Sequence, residues 1–343
     1  MIQQRLRELD SLRGLVALSV VFFHFTAGRP EFYSCFKFGG TAVDLFFMIS
    51  GFVIFLTVSD NPSWMYFAKK RFLRLYPTYW ICLIITTVVM IINLHHLNQT
   101  DGGLLTRFLA NITMFQSYLK IEDMDGPYWS LAIELMFYIF VIFMLIAKVI
   151  NKIEIIGYLI FILIAFLYWY ALPQYPLFYH SINRAIPLIN HWPLFFAGIL
   201  FYRQMNVRET LFRYLSIIIC FAFSILVFNK AGRTSDFISI AEYASILFVY
   251  FFTFFLLINN RLGFLKIRAL LFLGSISYTL YLIHQYIGRE FLLKNLTGVL
   301  KINFAISCCI SVMFSILLSA VVTFYLEIRL RNWLRKYLFS FRN

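Results

Sequence analysis

Charge is scarce in this chain. Only 13% of its 343 residues are Asp, Glu, Lys or Arg, and 16 of them are acidic. With 61% hydrophobic residues and a mean hydropathy of +0.79, too little polar surface remains to coat a soluble globule of this size. Cysteine is equally uninformative. Cys35, Cys82, Cys220, Cys308 and Cys309 show no paired metal-ligand spacing, and four of them lie in apolar runs, where a small buried hydrophobe is the expected role. No zinc site, disulfide framework, internal repeat, low-complexity tract or fused soluble domain is indicated. A net charge of +14 does not point to nucleic acid, because the basic residues fall in short clusters between apolar runs and form no continuous soluble face.

What the chain does have is long apolar stretches. About ten runs can cross a bilayer, near 11–28, 39–58, 77–95, 129–150, 155–172, 188–205, 211–228, 240–258, 270–288 and 303–325. The fold expected is an all-α polytopic membrane bundle, one domain over 1–343. Basic residues before the first run raise the question of a signal peptide. Thr26-Ala27-Gly28 is a weak cleavage site and many apolar runs follow, so the first run reads as a retained helix. One set of loops carries Arg5 and Arg7, Lys69 to Arg74, Arg203, Arg208 and Arg213, and Arg329 to Arg342. The opposite set has fewer cations, among them Lys230 and Arg233, and most of the loop acids, including Asp101, Glu122, Asp123 and Asp125. By the positive-inside rule both termini face the cytoplasm of a cell (inner) membrane. Residues 59–76 read as a surface helix, and 96–128 as a long outer loop that dips inward or covers a cavity.

Ionisable groups within the spans each cost at least about 2.5 kcal/mol near the bilayer centre, so each needs a partner or a purpose. The candidates are Arg13 and His24 in the first run, Asp44 in the second, Glu134 in the fourth, Glu242 in the eighth and His284 in the ninth. Arg13 and His24 have ten residues between them. Eleven helical steps return the second side chain to within about 20° of the first and about 16.5 Å along the axis. One stripe of one helix then carries a permanent cation at its entrance and an imidazole deep inside. A ligand with phosphate at one end and reactive chemistry at the other fits that stripe.

The structural alternatives are snorkelling for Arg13 and a hydrogen-bonded structural role for His24. A neutral buried imidazole is also what a general base requires, and Asp44 or Glu134 is available to orient it. Ser50 and Gly51 permit close approach of another helix or a ligand. Arg71 and Arg74, three residues apart, share a helical face and suit phosphate oxygens or anionic lipid. His95 and His96 read as a solvated pair. Asn98-Gln99-Thr100 and Asn111-Ile112-Thr113 match the short glycosylation pattern.

Together these segments resemble the acyltransferase 3 family of multi-pass membrane acyltransferases along nearly the whole chain. The resemblance rests on Arg13 and His24 with their spacing, GGTAVDLFFMISGF (39–52), RFLRLYPTYW (71–80), WSLAIELMFYIF (129–140), LGSISYTLYLIHQ (273–285) and LEIRLRNWLRK (326–336). Leu135 stands where many members carry a second acid after Glu134, and the esterase-like domain fused to some members is absent.

The resemblance implies transfer of an acyl group, most often acetyl from acetyl-CoA as co-substrate, to a hydroxyl of a carbohydrate or lipid-linked glycan. It implies His24 as the catalytic histidine and Arg13, Arg71 and Arg74 as required cations, with neither metal nor nucleic acid and with membrane lipids as surroundings. On this reading the arginines hold the CoA phosphates and His24 serves as base or transient acyl carrier. Asp44 or Glu134 orients the imidazole, while Trp129, Ser130 or Ser50 contacts the substrate or its oxyanion. A transporter using the buried charges as a path, or a non-catalytic polysaccharide-assembly protein, is the competing reading.

Overall fold

The computed structural model describes residues 6–207, 209–228 and 236–340. Arg5, Arg208, Lys230, Arg233 and Arg342, cited above as loop cations, lie outside them. Among the described residues the protein is helical throughout and contains no strand. The long elements are α1 (Arg7–Thr26), α2 (Ala42–Asp60), α3 (Trp64–His96), α4 (Trp129–Ile146), α5 (Ile153–Phe166) and α6 (Leu188–Asn206). They continue with α7 (Leu211–Leu226), α8 (Ile240–Ile258), α9 (Arg268–Ile283), α10 (Phe304–Val321) and α11 (Ile328–Ser340).

Each apolar run read from the sequence falls on one of these helices. Eight among the described residues are long and apolar enough to span a bilayer, and nine if Pro176–Ala185 and α6, bent by 54°, form one span. At 16 residues, α7 covers about 24 Å and is short for the purpose.

Local chemistry sets several helix ends. Glu8 and Asp10 sit in the first turn of α1, where the helix dipole favours acids. Asp125 accepts from the Gly126 amide ahead of α4, and Asn303 accepts from Ala305 at the start of α10. Ser239 and Glu242 form a capping box on α8. Glu242 is therefore a helix-start acid, not the buried charge that its position in an apolar run suggested. Cys309 is exposed, whereas Cys82, Cys220 and Cys308 are buried.

The surface helix expected over 59–76 and the third span are one element. α3 runs 33 residues, about 49 Å, without interruption at Pro77, against a hydrocarbon core of about 30 Å. Its first turns, with Arg71 and Arg74, are in excess of what a span needs.

The chain packs as two compact units. The first comprises residues 1–40, 69–132 and 265–343, and the second 41–68 and 133–264. In the first, α1 and α9 touch backbone to backbone. A Cβ on Gly14 would lie 2.6 Å from the Gly274 amide nitrogen, and one on Gly274 would lie 2.1 Å from the Asp10 carbonyl oxygen. Small residues at such a crossing are the usual device for close helix approach in membranes. Ser11 donates to the Leu265 carbonyl at 2.7 Å and Lys266 pairs with Glu8 at 2.7 Å, which fixes the register.

The long loop is sewn onto α3 in the same unit. Tyr76, Tyr79 and Trp80 donate to the carbonyls of Thr113, Asn111 and Ile112 at 3.2, 2.7 and 3.1 Å. Asn111 is fully buried, donates to the carbonyls of Arg107 and Glu122 and accepts from the Met124 amide. Its amide organises this loop and is inaccessible to glycosylation.

The second unit repeats the device. A Cβ on Gly51 would lie 2.1 Å from the Phe195 oxygen, and one on Gly198 2.1 Å from the Met48 oxygen, so α2 and α6 cross in backbone contact. Glu154 there takes ion pairs from both Arg203 and Arg213 at 2.8 Å.

Candidate active site

Pairings along α9 place the candidate residues of the first unit on a common axis. Gly14 meets Gly274 and His24 meets His284, so α1 and α9 run the same way with equal ten-residue intervals, about 15 Å. Tyr278 donates to the Leu75 carbonyl at 3.2 Å, and Asn93 donates to Tyr286 at 3.3 Å, so α3 runs the same way too. α10 runs opposite, since Thr279 bonds Thr323 at 2.6 Å while Gly288 lies against Ser315. Alternating spans require this arrangement of the first, third, ninth and tenth.

The cations gather at one end of this stack. Arg13 lies 3.4 Å from Asp10 with its side chain only 19% exposed. Arg74 stands over the Tyr278 ring at 5.6 Å, six residues before His284 and so about 9 Å below it along α9. Arg71 is one turn further back on α3. Lys69 reaches the Leu338 carbonyl at 2.6 Å, next to an open cavity of about 620 Å³ lined by Asn332, Arg335, Lys336 and Phe339.

The other end holds the imidazoles. The rings of His24 and His284 have centroids 5.1 Å apart, tilted by 44°. His284 is fully buried, and its Nδ1 lies 2.9 Å from the Tyr281 carbonyl oxygen. A carbonyl only accepts, so Nδ1 carries the proton and Nε2 presents a bare lone pair. That Nε2 is buried and has no hydrogen-bond partner. An unmatched buried acceptor costs about 1–3 kcal/mol, a cost that stable packing alone does not explain.

The surroundings of His284 are themselves fixed. Tyr281 shares a 2.8 Å hydrogen bond with Ser130, whose hydroxyl also lies 3.1 Å from the Pro127 carbonyl. From His284 to Leu293 the chain winds as a π-helix, a form frequent at functional sites. Asp125 clamps its start, with both carboxylate oxygens 3.1 Å from the Tyr286 amide. Burial pushes the Asp125 carboxyl up to about 8, against the pull of the Tyr286 and Gly126 amides. Beyond His24, Arg29, Glu31, Phe32, Thr297, Asn303 and Phe304 line a cavity of about 500 Å³, with Arg29 over the Phe304 ring at 4.7 Å.

Trp129 is 41% exposed at the start of α4, and Ser130 is buried on Tyr281. Asp44, Glu134 and Ser50 belong to the second unit. Asp44 accepts from Tyr243 at 2.9 Å, and Glu134 accepts from Ser50 at 2.8 Å and from Tyr138 at 2.5 Å. His284 was visible in sequence only as one buried charge among six, and Asp125 only as a loop acid. Nothing in their local sequence marked either as a neighbour of the His24 region. His95 and His96 are exposed, with ring centroids 6.5 Å apart. Among the described residues no group of three or more His, Cys, Asp or Glu side chains gathers as a metal site does.

An acyltransferase-domain family model matches residues 6–325. The acyltransferase MdmB of Streptomyces mycarofaciens is 28% identical over 149 residues, 39% of this chain and 38% of that protein. The O-acetyl transferase of Shigella phage Sf6 is 31% identical over 144 residues, 38% of this chain and 43% of that protein. The chain thus aligns with about two fifths of the length of these curated relatives. No solved structure matches it. A family match running almost from end to end, over helices that carry the cations and the histidine pair, shows that the chain belongs to the acyltransferase 3 family.

Proposed function

We propose that this protein is a membrane O-acyltransferase that moves an acetyl group from acetyl-CoA to a hydroxyl of a cell-surface polysaccharide or glycolipid. The observation that carries the reading is the parallel stack of α1, α3 and α9, with Arg13, Arg71 and Arg74 at one end and His24 at the other.

Arginine is the cation suited to phosphate oxygens, because its planar fork donates two bonds at once. Arg71 and Arg74 hold the pyrophosphate and 3′-phosphate of CoA, with Arg13 at the start of the channel. The pantetheine arm then extends along α1 for the axial distance of about 16.5 Å that separates Arg13 from His24. The glycan hydroxyl enters from the opposite side, past the Arg29 cavity, whose mixed polar and aromatic lining suits a sugar.

His24 acts as general base. It takes the hydroxyl proton as the oxygen attacks the thioester carbonyl, and the C–S bond breaks as the ester forms. The imidazolium then protonates the departing CoA thiolate, so atoms and charge balance. Trp129, at the start of α4, is the candidate donor to the oxyanion. On charge bias the arginine end faces the cytoplasm of the cell membrane, where the donor is made.

Purified protein in lipid discs, given radiolabelled acetyl-CoA and a surface-glycan acceptor, is expected to release CoA and form a labelled ester. Solute transport without thioester loss would replace this reading with a transporter. Labelled enzyme formed without any acceptor would replace the general-base route with an acyl-histidine.

A further inference from the structure

We infer that His284 is the proton-sharing partner of His24, a positioning residue that fills the role a carboxylate usually plays beside a catalytic imidazole. The inference rests on the acyltransferase reading above and deepens it.

Three observations carry it. His284 is fully buried, so it meets reactants only through a neighbour, and the imidazole lying against it is that of His24. Its Nδ1 is committed to the Tyr281 carbonyl at 2.9 Å, which fixes the tautomer and leaves Nε2 as a pure acceptor. That acceptor is unmatched. The His24 ring stands against it at a centroid separation of 5.1 Å and a tilt of 44°, in contact but with no hydrogen bond between the rings, so a turn of the His24 side chain is what brings its N–H onto Nε2. Among the described residues no hydrogen bond engages the His24 ring, so its N–H is the donor that fits.

The consequence is chemical. Once its N–H turns onto His284 Nε2, His24 presents its other nitrogen to the channel as a bare lone pair. When that nitrogen takes the hydroxyl proton, the charge is shared with the second ring until the CoA thiolate accepts the proton. No oxidant, metal or further reactant is needed. Ser130 and Asp125 act at one remove. Ser130 anchors Tyr281, and Asp125 anchors the π-helical turn that begins at His284.

Two substitutions separate this role from a structural one. In His284→Asn the side-chain amide sits where Nδ1 was, keeping the bond to Tyr281 but removing Nε2. In His284→Gln an amide oxygen sits near the Nε2 position and can accept the His24 N–H. The expected result is a fall in kcat of about 100-fold for Asn, with KM for donor and acceptor changed less than twofold, and a return to within about tenfold of wild type for Gln. The opposite order, Asn active and Gln inactive, marks a structural histidine and overturns the inference, as does wild-type kcat in both. A wild type that consumes no acetyl-CoA overturns the acyltransferase reading itself, and this inference with it. Should neither variant fold, ¹⁵N-labelled wild type decides. With CoA and acceptor bound, a scalar coupling across N–H···N between His24 and His284 supports the pair, and two resolved but uncoupled rings overturn it.

Discussion

The buried acids of the second unit and the buried histidines of the first are partnered differently. In the second, the buried acids have settled partners. Asp44 holds Tyr243, Glu134 holds Ser50 and Tyr138, and Glu154 holds two arginines. In the first, two histidine rings lie 5.1 Å apart, tilted by 44°, with the Nε2 of His284 unused, at the end of a stack whose other end is cationic. A satisfied network in a low-dielectric interior stabilises one packing, whereas an unsatisfied one is a place where a proton or a ligand changes the energy. Under the proposed function, the paired acids hold shape in the second unit and the histidines act in the first.

Substitution of His24 tests the contrast hardest. His24→Ala is expected to lower acetyl transfer by about 100- to 10,000-fold with little change in thermal midpoint, read by labelled-ester formation and by melting in detergent. Comparable transfer by this variant would remove the first unit from the chemistry.

Next come the cations. Arg71→Ala and Arg74→Ala should each raise the donor KM about tenfold or more, and Lys at either position should restore only part, because a point charge does not reproduce the fork. Donor titrations at fixed acceptor show this, and an effect confined to acceptor KM would move the phosphate site elsewhere.

The reverse experiment belongs to the second unit. Glu134→Ala leaves the Ser50 and Tyr138 hydroxyls without their acceptor and should cost about 1–3 kcal/mol of stability. Transfer per folded molecule should fall far less than in His24→Ala. If activity is lost while the melting curve is unchanged, Glu134 acts on the imidazole and the contrast between the units fails.

The smallest effect concerns Asp125. Its carboxyl titrates near 8 in the folded protein, because burial raises it, against about 3.9 in an unfolded chain. A raised carboxyl stabilises the fold fully below about pH 4, and the contribution is lost as pH climbs through 8. Melting midpoints of wild type should therefore decline between pH 5 and 9 relative to Asp125→Asn, which does not titrate. Parallel curves would show that the carboxyl is not perturbed.

Much of this was legible in the sequence. Apolar runs of eighteen or more residues leave few choices besides membrane helices, and each one read that way falls on a helix. The Arg13–His24 stripe also needed only helical geometry, and α1 contains both residues. The reading failed where tertiary contact decides. The cations and aromatics of 59–76 suggested a separate surface helix, yet α3 is continuous from Trp64 to His96 with Pro77 inside it. Glu242 sat in an apolar window, although Ser239 three residues earlier already spelled a capping box. The histidine pair could not be read at all. It depends on Gly14 meeting Gly274 across the length of the chain, a crossing that no local pattern encodes.

The central claim is that donor and acceptor meet from opposite ends of the α1–α3–α9 stack. Protein reconstituted in one orientation into sealed vesicles, with acetyl-CoA on one side and glycan on the other, tests it most directly. Ester should form only when acetyl-CoA is on the face bearing Arg71 and Arg74 and the glycan is on the face beyond His24. Equal ester formation with the two substrates exchanged would contradict the account.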